Sequence, residues 1–376
     1  MTSQGKIAIL CAAALTSTAA FACTSWVLHP SVTKSHRMIV QKCRDSASKV
    51  LDADMRTSES GIRWMRIGAG GGAAFSMNAC GVVATSNNGD PLTKPEHPRP
   101  KIGGWVLGRV GANSSTAREG LKFIAELQRN PAGIFFVADP KQAFLMESGA
   151  DYAEYKEITG GICVVANEMH LPGIDGRALS SLERMTRQRA REANTRAALR
   201  EAAKRDGGYT PEGCFETSRL PMGEGAKNQF PFRVQSQTAV CFELDGEFPE
   251  TLSTAYIALG PQRYTVYLPT PMALEQFPEK IRSGEWAAMA LKLRKTAGEK
   301  TTLVDRIPKL EKQLLAEYDK VREEARTLLK AGKRDAAVKL LNECYARQYA
   351  RAEELLTTLL AEAEAAQARK TAAAGK

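Results

Sequence analysis

The junction Ala20-Phe21-Ala22-Cys23 constrains this chain more than any other feature, because it predicts that the folded protein begins at a cysteine. The residues before it carry one early positive charge, then an apolar and small-residue run, then a small-x-small cleavage site. This order is typical of a secretory signal. Cleavage after Ala22 gives Cys23 a free α-amino group. Since an α-amine has a pKa of roughly 7.7–8.0 and a deprotonated thiol is a strong nucleophile, one residue then carries both a nucleophile and a proton acceptor.

Three other interpretations of Cys23 stay open on the junction alone. It could be a secreted cysteine with a disulfide partner, the lipid-bearing cysteine of an envelope lipoprotein, or a residue that follows an uncleaved membrane anchor. The apolar run that ends at Phe21 is shorter than the about 20 residues that a membrane-spanning helix needs, and no later run approaches that length. We therefore expect an exported protein, periplasmic or secreted, without a transmembrane span after cleavage.

The distribution of charge and the spacing of possible metal ligands indicate which classes of partner and cofactor to expect. The net charge of +10 comes partly from the stretch between Arg184 and Arg205 and partly from the residues after 290, where acidic residues are interleaved with the basic ones. Solvated helical faces explain this pattern better than nucleic-acid binding, so we expect no nucleic acid partner. The four histidines stand apart at positions 29, 36, 97 and 170, and neither a CxxC pair nor an HExxH motif occurs. We therefore predict no metal and no cofactor.

Strand pairs followed by late long helices predict an α+β protein. Pairs of neighbouring strands are predicted at residues 23–29 and 37–45, 73–77 and 81–87, and 134–137 and 143–147, with further strands at 152–157, 162–166, 234–243, 253–259 and 263–268. Helices are predicted at 116–128 and 179–206. After residue 290 an apolar spacing of three or four, shared with coiled coils, predicts a helical hairpin that turns at Ala331-Gly332-Lys333.

This pattern suggests three segments along the chain. They are a signal peptide at 1–22, a catalytic domain at 23–290 and a basic helical hairpin at 291–376 with a frayed C-terminus. Because the hairpin has its own apolar stripe, we expect the domain at 23–290 to fold without it. A homo-oligomer formed through the hairpin is compatible with the sequence.

The residues after the junction, CTSWVLHPSVTKSHRMIVQKCRDS, carry a resemblance to a known family. A Cys-Thr start, followed one strand later by Lys42-Cys43-Arg44-Asp45, resembles the N-terminal nucleophile hydrolases. The closest branch contains choloylglycine hydrolases, penicillin acyltransferases and cysteine dipeptidases, which show Cys-Thr at the mature start and Arg-Asn-x-Asp at the end of the second strand. Asp45 matches, while Lys42 stands where that branch has arginine and Cys43 where it has asparagine. The resemblance covers roughly residues 23–272 and implies a four-layer αββα sandwich, with the C-terminal helical hairpin outside it.

The same resemblance implies further site residues downstream. The strand at 81–87 is similar to one that ends at an oxyanion-side residue, which places Asn87 or Asn88 near the nucleophile. Asn167 matches the asparagine of a Thr-Asn-His motif whose other two residues are not kept. Arg233 matches a late arginine of the branch.

The resemblance also implies a mechanism. Cys23 sulfur attacks an amide carbonyl and forms a thioester, while its own α-amine carries the proton to the leaving amine. Asp45 orients the N-terminal residue, Lys42 or Arg44 stabilises the thiolate, and Asn167 donates to the oxyanion. The implied activity is hydrolysis of a linear amide C–N bond in a small molecule or short peptide.

Several alternatives remain beside this reading. The chain could be an acyltransferase or dipeptidase of the same branch, or a non-catalytic envelope lipoprotein that uses the helical hairpin to bind a partner. Taken singly, Asp45 could close a turn and Asn167 could end a strand. Asn87-Asn88-Gly89 could be an ordinary turn, and Arg233 a surface arginine.

Overall fold

The structure is a computed structural model that describes residues 23–45, 51–89, 105–126, 133–149, 153–175, 182–220, 229–233, 235–299 and 301–374. The predicted signal segment, residues 1–22, lies outside the described residues.

One antiparallel sheet carries the predicted first strand in its interior. From one edge of the sheet to the other, its strands are β10 (Ile162–Val165), β1 (Thr24–Leu28), β2 (Met38–Asp45), β11 (Ser236–Leu244), β12 (Thr254–Leu259) and β13 (Leu268–Pro271). The predicted strands at 23–29, 37–45, 162–166, 234–243 and 253–259 are thus confirmed to within a few residues.

The second antiparallel sheet is a meander in which each strand pairs with the next along the chain. Its strands are β3 (Asp52–Thr57), β4 (Arg63–Ala69), β5 (Gly72–Asn78), β6 (Val83–Asn88), β7 (Gly133–Ala138), β8 (Ala143–Ser148) and β9 (Ala153–Glu157). The predicted turn between β5 and β6 is present. There the Asn78 side chain accepts hydrogen bonds from the backbone N–H groups of Cys80 and Val82, and Gly81 supplies the positive φ of 79°.

The helices lie outside the sheets. They are α1 (Trp105–Asn113), α2 (Ala117–Glu126), α3 (Pro172–Asp175), α4 (Leu182–Asp206), α5 (Pro211–Arg219), α6 (Pro249–Leu252), α7 (Glu279–Arg282), α8 (Glu285–Ala297), α9 (Arg306–Lys330) and α10 (Arg334–Ala374), with a 3₁₀ turn at Leu303–Asp305. None of the described helices is both long enough and apolar enough to cross a membrane.

Three clusters of buried apolar side chains define four layers. The first lies between the sheets and contains Val27 from one and Phe75 from the other. The second, with Trp26, packs the other face of the first sheet against α4, α5, α9 and α10. The third, with Phe135, packs the outer face of the second sheet against α1 and α2. The predicted αββα sandwich is therefore confirmed, because each sheet is apolar on both faces and each outer face is covered by helices.

The C-terminal helical hairpin is also confirmed. It turns at Gly332, whose φ is 73°, and the following N–H groups donate back to carbonyls of the last turn of α9. Its helices complete the second cluster through residues such as Leu315, Tyr318 and Leu341. The domain boundary suggested by the sequence, between residues 290 and 291, lies inside α8.

The expected strand at 263–268 is wrong. Tyr264 N–H donates to the Pro261 carbonyl in a turn, and Tyr267 N–H donates to the Glu311 carboxylate at 2.6 Å instead of to a strand. The edge strand begins only at Leu268, which pairs with Ile257. A carboxylate from α9 thus takes a backbone donor that a continuing strand would have used.

Candidate active site

Strand alternation places Cys23 on the face of the first sheet that looks toward the second sheet. Val27 of β1 and Val40 of β2 lie in the core between the sheets, so Cys23 and Lys42 share that face with them. The register pairs Ser25 with Lys42. Cys23 lies directly before β1 and is 5 % exposed. The site is therefore at one end of the sandwich, between its two sheets.

Lys42 is a cationic partner of Cys23. Its Nζ donates to Asn87 Oδ1 at 2.7 Å and to the Ser86 carbonyl, and it also interacts with the Cys23 thiol by a hydrogen bond. Burial lowers the pKa of Lys42, while the charge and hydrogen bond of the Cys23 side chain raise it. The three donors of the ammonium group thus have three acceptors, one of which is the predicted nucleophile.

Asn87 reaches this site from β6 in the second sheet. Its Oδ1 accepts hydrogen bonds from Ser25 Oγ and from Lys42 Nζ, both at 2.7 Å. Its Nδ2 donates to the Ala166 carbonyl at 2.6 Å and lies 3.4 Å from the Val165 carbonyl. Since both ends of this amide are engaged by the protein, Asn87 braces Lys42 and the strand β10 rather than pointing a free donor at the nucleophile.

Asp45 and Arg233, which stand far apart in sequence, meet at the end of β2. Ser236 Oγ donates to Asp45 Oδ1 at 2.7 Å, and Arg233 Nη1 lies 3.6 Å from Asp45 Oδ2. Burial raises the pKa of Asp45, and the Arg233 charge opposes that rise. Burial likewise lowers the pKa of Arg233, and Asp45 opposes it. The two groups are therefore each other's counter-ions inside the protein.

Arg44 lies at the rim of the same group. It is half-buried, and its Nη1 is 3.5 Å from Gln237 Oε1. Burial lowers the pKa of Arg44, while the charges of Cys23 and Asp45 raise it. Lys42 and Arg44, the two candidates for the role of the family's arginine, therefore both interact with Cys23 by charge. Of the two, Lys42 alone also forms a hydrogen bond to it.

Asn167 follows β10 and is held at both ends of its side chain. Its Nδ2 donates to the Asn88 carbonyl at 2.6 Å, and its Oδ1 accepts from Arg191 Nη2 at 3.3 Å. The amide group has a second N–H, which leaves it able to donate to a substrate.

Arg191 is a site residue that the sequence did not indicate. It lies on α4 and is 1 % exposed. Burial and the neighbouring Arg233 lower the pKa of Arg191 to about 10, while the charges of Asp45 and Cys23 oppose the shift. The interpretation of the stretch between Arg184 and Arg205 as a solvated face is wrong at this position. A helical periodicity was available as a signal, since Arg191 shares one buried stripe with Thr195 and Leu199.

The arrangement brings one thiol, one carboxylate and four cationic side chains together. Lys42, Arg44, Arg191 and Arg233 all interact electrostatically with Cys23. Positive charge beside a cysteine stabilises a thiolate, and the polar N–H groups around it can stabilise negative charge that develops on a substrate oxygen. Within the described ranges, no group of three His, Cys, Asp or Glu side chains could hold a metal ion.

Solved structures with similarity to this chain include three amide-cleaving enzymes. An N-acylethanolamine-hydrolyzing acid amidase ortholog from Caenorhabditis elegans aligns with a TM-score of 0.43 at 12% identity, over 58% of this chain and 92% of the other. A variant of conjugated bile acid hydrolase from Clostridium perfringens aligns with a TM-score of 0.43 at 13% identity, over 66% and 91%. Penicillin V acylase from Agrobacterium tumefaciens aligns with a TM-score of 0.33 at 11% identity, over 63% and 86%. No family model and no curated protein sequence matches the chain.

Proposed function

We propose that the chain is an exported N-terminal nucleophile amidohydrolase that cleaves a linear amide C–N bond through a thioester on Cys23. The observation that supports this most is the position of the Cys23 thiol, which is hydrogen-bonded to the Lys42 ammonium at the mouth of a two-sheet sandwich. A thiol held against a buried cation is prepared for nucleophilic attack.

The reaction proceeds in two steps. The Cys23 sulfur attacks the amide carbonyl, the thiol proton passes to the α-amine of the mature Cys23, and that ammonium group protonates the leaving amine as the C–N bond breaks. Water then attacks the thioester carbonyl, and the α-amine accepts a proton from the water. The C–S bond breaks, the carboxylic acid leaves, and the α-ammonium group returns the proton to the Cys23 sulfur. Asn167 donates to the oxyanion in both steps.

The charged side chains around Cys23 have different roles in these two steps. Lys42 stabilises the negative sulfur before attack and after the thioester breaks. Asp45, held by Ser236 and Arg233, orients the mature N-terminus through its carboxylate. Arg233 and Arg191 oppose the rise in the pKa of Asp45 that burial causes, because each is a positive charge close to it.

The test uses protein that begins at Cys23, a panel of N-acyl amides and dipeptides, and a thiol-reactive acyl probe. Cys23→Ala is expected to reduce turnover below about one per cent of wild type with an unchanged melting temperature, and to abolish labelling. Cys80→Ala, in the half-buried turn between β5 and β6, is the matched control and retains both. Activity of the Cys23→Ala variant near that of the control would rule out the thioester.

The role of the α-amine has its own test. A protein that retains one glycine before Cys23 has an amide nitrogen at that position, and an amide does not accept a proton near neutrality. We expect this protein to fold and to lose turnover. The mass of the exported protein provides the companion measurement, since a free Cys23 at the N-terminus agrees with the proposal and a diacylglyceryl adduct contradicts it.

A further inference from the structure

The backbone after β10 is held by a side chain that the mechanism above does not use. Glu192 lies on α4 and is 5 % exposed. Its Oε1 accepts a hydrogen bond from the backbone N–H of Ala166 at 2.7 Å. The Nε2 atom of His170 lies 3.0 Å and 3.1 Å from its two carboxylate oxygens. A buried carboxylate is thus fixed between a backbone donor and an imidazole.

Ala166 is the first member of a hydrogen-bond chain that ends at the nucleophile. Its carbonyl accepts from Asn87 Nδ2 at 2.6 Å. The other end of the Asn87 amide accepts from Lys42 Nζ at 2.7 Å, and Lys42 contacts the Cys23 thiol. Each member of this chain is 5 % exposed or less, so water does not readily replace a lost bond. The position of Ala166 therefore contributes to where the Lys42 ammonium lies, together with the Ser86 carbonyl that accepts from Lys42 and the Ser25 hydroxyl that donates to Asn87.

The residue before Glu192 on α4 holds the residue that follows Ala166. Arg191 donates to Asn167 Oδ1 at 3.3 Å, while Glu192 accepts from Ala166. Arg191 and Glu192, which are consecutive on α4, thus fix two consecutive residues of the segment that follows β10. Both hydrogen bonds involve a charged side chain, but the bond of Glu192 is made to the backbone and, at 2.7 Å against 3.3 Å, is the shorter of the two, which makes Glu192 the firmer support for the backbone.

We propose that Glu192 is a positioning residue for Cys23: by holding Ala166 it orients the Asn87 amide, and through that amide it places the Lys42 ammonium against the thiol. This inference rests on the proposed function, since it assigns Glu192 to the reactivity of the same cysteine.

Glu147 provides a matched control. It is also a buried carboxylate, and it accepts backbone N–H bonds from His170 at 2.8 and 2.9 Å and from Leu171 at 2.9 Å. It therefore supports the same segment of chain a few residues later, but it does not bond to Ala166, and its path to Asn87 runs through the His170 and Glu192 side chains. A purely structural role for Glu192 predicts that both carboxylates behave alike.

The test measures the rate of Cys23 alkylation by iodoacetamide against pH, with peptide mapping, in mature wild type, Glu192→Ala, Glu192→Gln and Glu147→Gln proteins, together with their melting temperatures. Glu192→Ala is expected to react about tenfold more slowly at neutral pH, with its rate profile displaced to higher pH. Glu192→Gln keeps an acceptor oxygen and loses the charge, so about threefold slower reaction is expected. Glu147→Gln is expected to melt at a lower temperature and to keep the wild-type profile.

The outcomes separate the two proposals. A folded Glu192→Gln variant with the wild-type profile would overturn the positioning role, and this variant decides the question by itself if Glu192→Ala does not fold. Equal displacement of the profile in Glu192→Gln and Glu147→Gln would also overturn it, because the effect would then be general loosening. Absence of Cys23 alkylation in wild type would instead refute the proposed function, and the positioning role with it.

Discussion

Lys42 Nζ on β2 lies 2.7 Å from Asn87 Oδ1 on β6, so one hydrogen bond joins the two sheets directly beside Cys23. Strand pairing within a sheet brings Lys42 near Cys23, but only the packing of one sheet on the other supplies Asn87. The cation is therefore fixed by tertiary structure and not by its own strand. A lysine held by three acceptors loses much of its rotational freedom, and its charge stays at one position relative to the sulfur.

Removal of the Lys42 charge is expected to reduce catalysis. Lys42→Met keeps most of the side-chain volume and deletes a charged hydrogen bond worth about 1.5–3 kcal/mol, which corresponds to roughly a ten- to hundredfold loss in kcat/KM. Lys42→Arg keeps the charge and is expected to retain more activity than Lys42→Met. Steady-state kinetics and the alkylation rate of Cys23 measure the effect. Equal activity of the two variants would show that the charge at this position does not matter.

Asp45→Asn is expected to lower both activity and stability. The sequence alone suggested a loss of activity, but the structure makes Asp45 the counter-ion of Arg233. Breaking a buried ion pair by neutralising one partner typically costs about 3–5 kcal/mol. Ser236→Ala is the control, because it removes the hydroxyl that donates to Asp45 and keeps both charges, so a smaller fall in melting temperature is expected. Unchanged stability of Asp45→Asn would contradict the ion pair.

Sequence patterns predicted the strands and helices whose apolar residues recur at a regular spacing along the chain. The strands at 23–29 and 37–45 and the late helical hairpin are of this kind. The hairpin of β3 and β4 was missed because β3 reads DADMRT, in which Ala53 and Met55 give too short an apolar alternation to mark a strand. Charge also supports its register, since Asp54 faces Arg66 across the two strands and their side chains lie 2.9 Å apart. Pairs of this type are invisible until the partner strand is known.

Some residues of the candidate site could likewise be predicted from the sequence, while others could not. Cys23 could be selected from the sequence because a cleavage junction defines it, and Lys42 and Asp45 could be selected because the motif that contains them resembles one of a known family. The structure places Asn87, Asn167 and Arg233 in the same group of side chains, although their roles remain predictions.

Arg191 and Glu192 were missed for a physical reason. Both lie within a helix whose many charges suggest a solvated surface, and their burial depends on α4 packing across the end of β10. No local pattern specifies that contact, which joins residues more than twenty positions apart.

His170 is expected to make stability depend on pH. The hydrogen bond from its imidazole to Glu192 raises the pKa of His170, burial lowers it, and the Glu168 and Glu147 carboxylates that face the ring also raise it. Arg189, which donates to Glu168 at 2.8 Å, is the cation on the same side. Since the folded-state pKa lies above the unfolded value of about 6.5, the stabilisation is complete below that pH and is lost as pH rises through the folded pKa.

The measurement compares the melting temperatures of wild type and His170→Gln from pH 5 to pH 9. Wild type is expected to be the more stable protein at pH 5, and the difference is expected to decrease above about pH 6.5. In a Glu192→Gln background the pH-dependent part should shrink, because the main partner of the imidazolium has lost its charge. A difference that is independent of pH would show that His170 contributes by packing alone.

Buried ion pairs connect the C-terminal helical hairpin to the sandwich. Arg322 on α9 pairs with Glu243 of β11, and Arg219 on α5 donates to Glu311 of α9 at 2.6 Å. Arg326 pairs with Asp245, and this holds the pKa of Asp245 well below its usual range. Removal of the hairpin would take Arg322 and Arg326 away from Glu243 and Asp245, which would keep Arg37, and would take Glu311 away from Arg219.

We therefore expect a protein that ends at Glu299 not to fold cooperatively, contrary to the expectation from the sequence that the domain at 23–290 folds without the hairpin. Such a protein loses the apolar side chains of α9 and α10 that cover one sheet, and the buried acids Glu243 and Asp245 lose Arg322 and Arg326 and keep Arg37 as a cationic partner. A protein that ends at Ala366 is the control, because Ala363 is the last buried side chain of α10 among the described residues. It is expected to melt within a few degrees of wild type. Circular dichroism melts and size-exclusion chromatography compare the two proteins. A soluble, cooperatively melting protein that ends at Glu299 and is labelled at Cys23 would show instead that the hairpin is a separate module, as the sequence suggested.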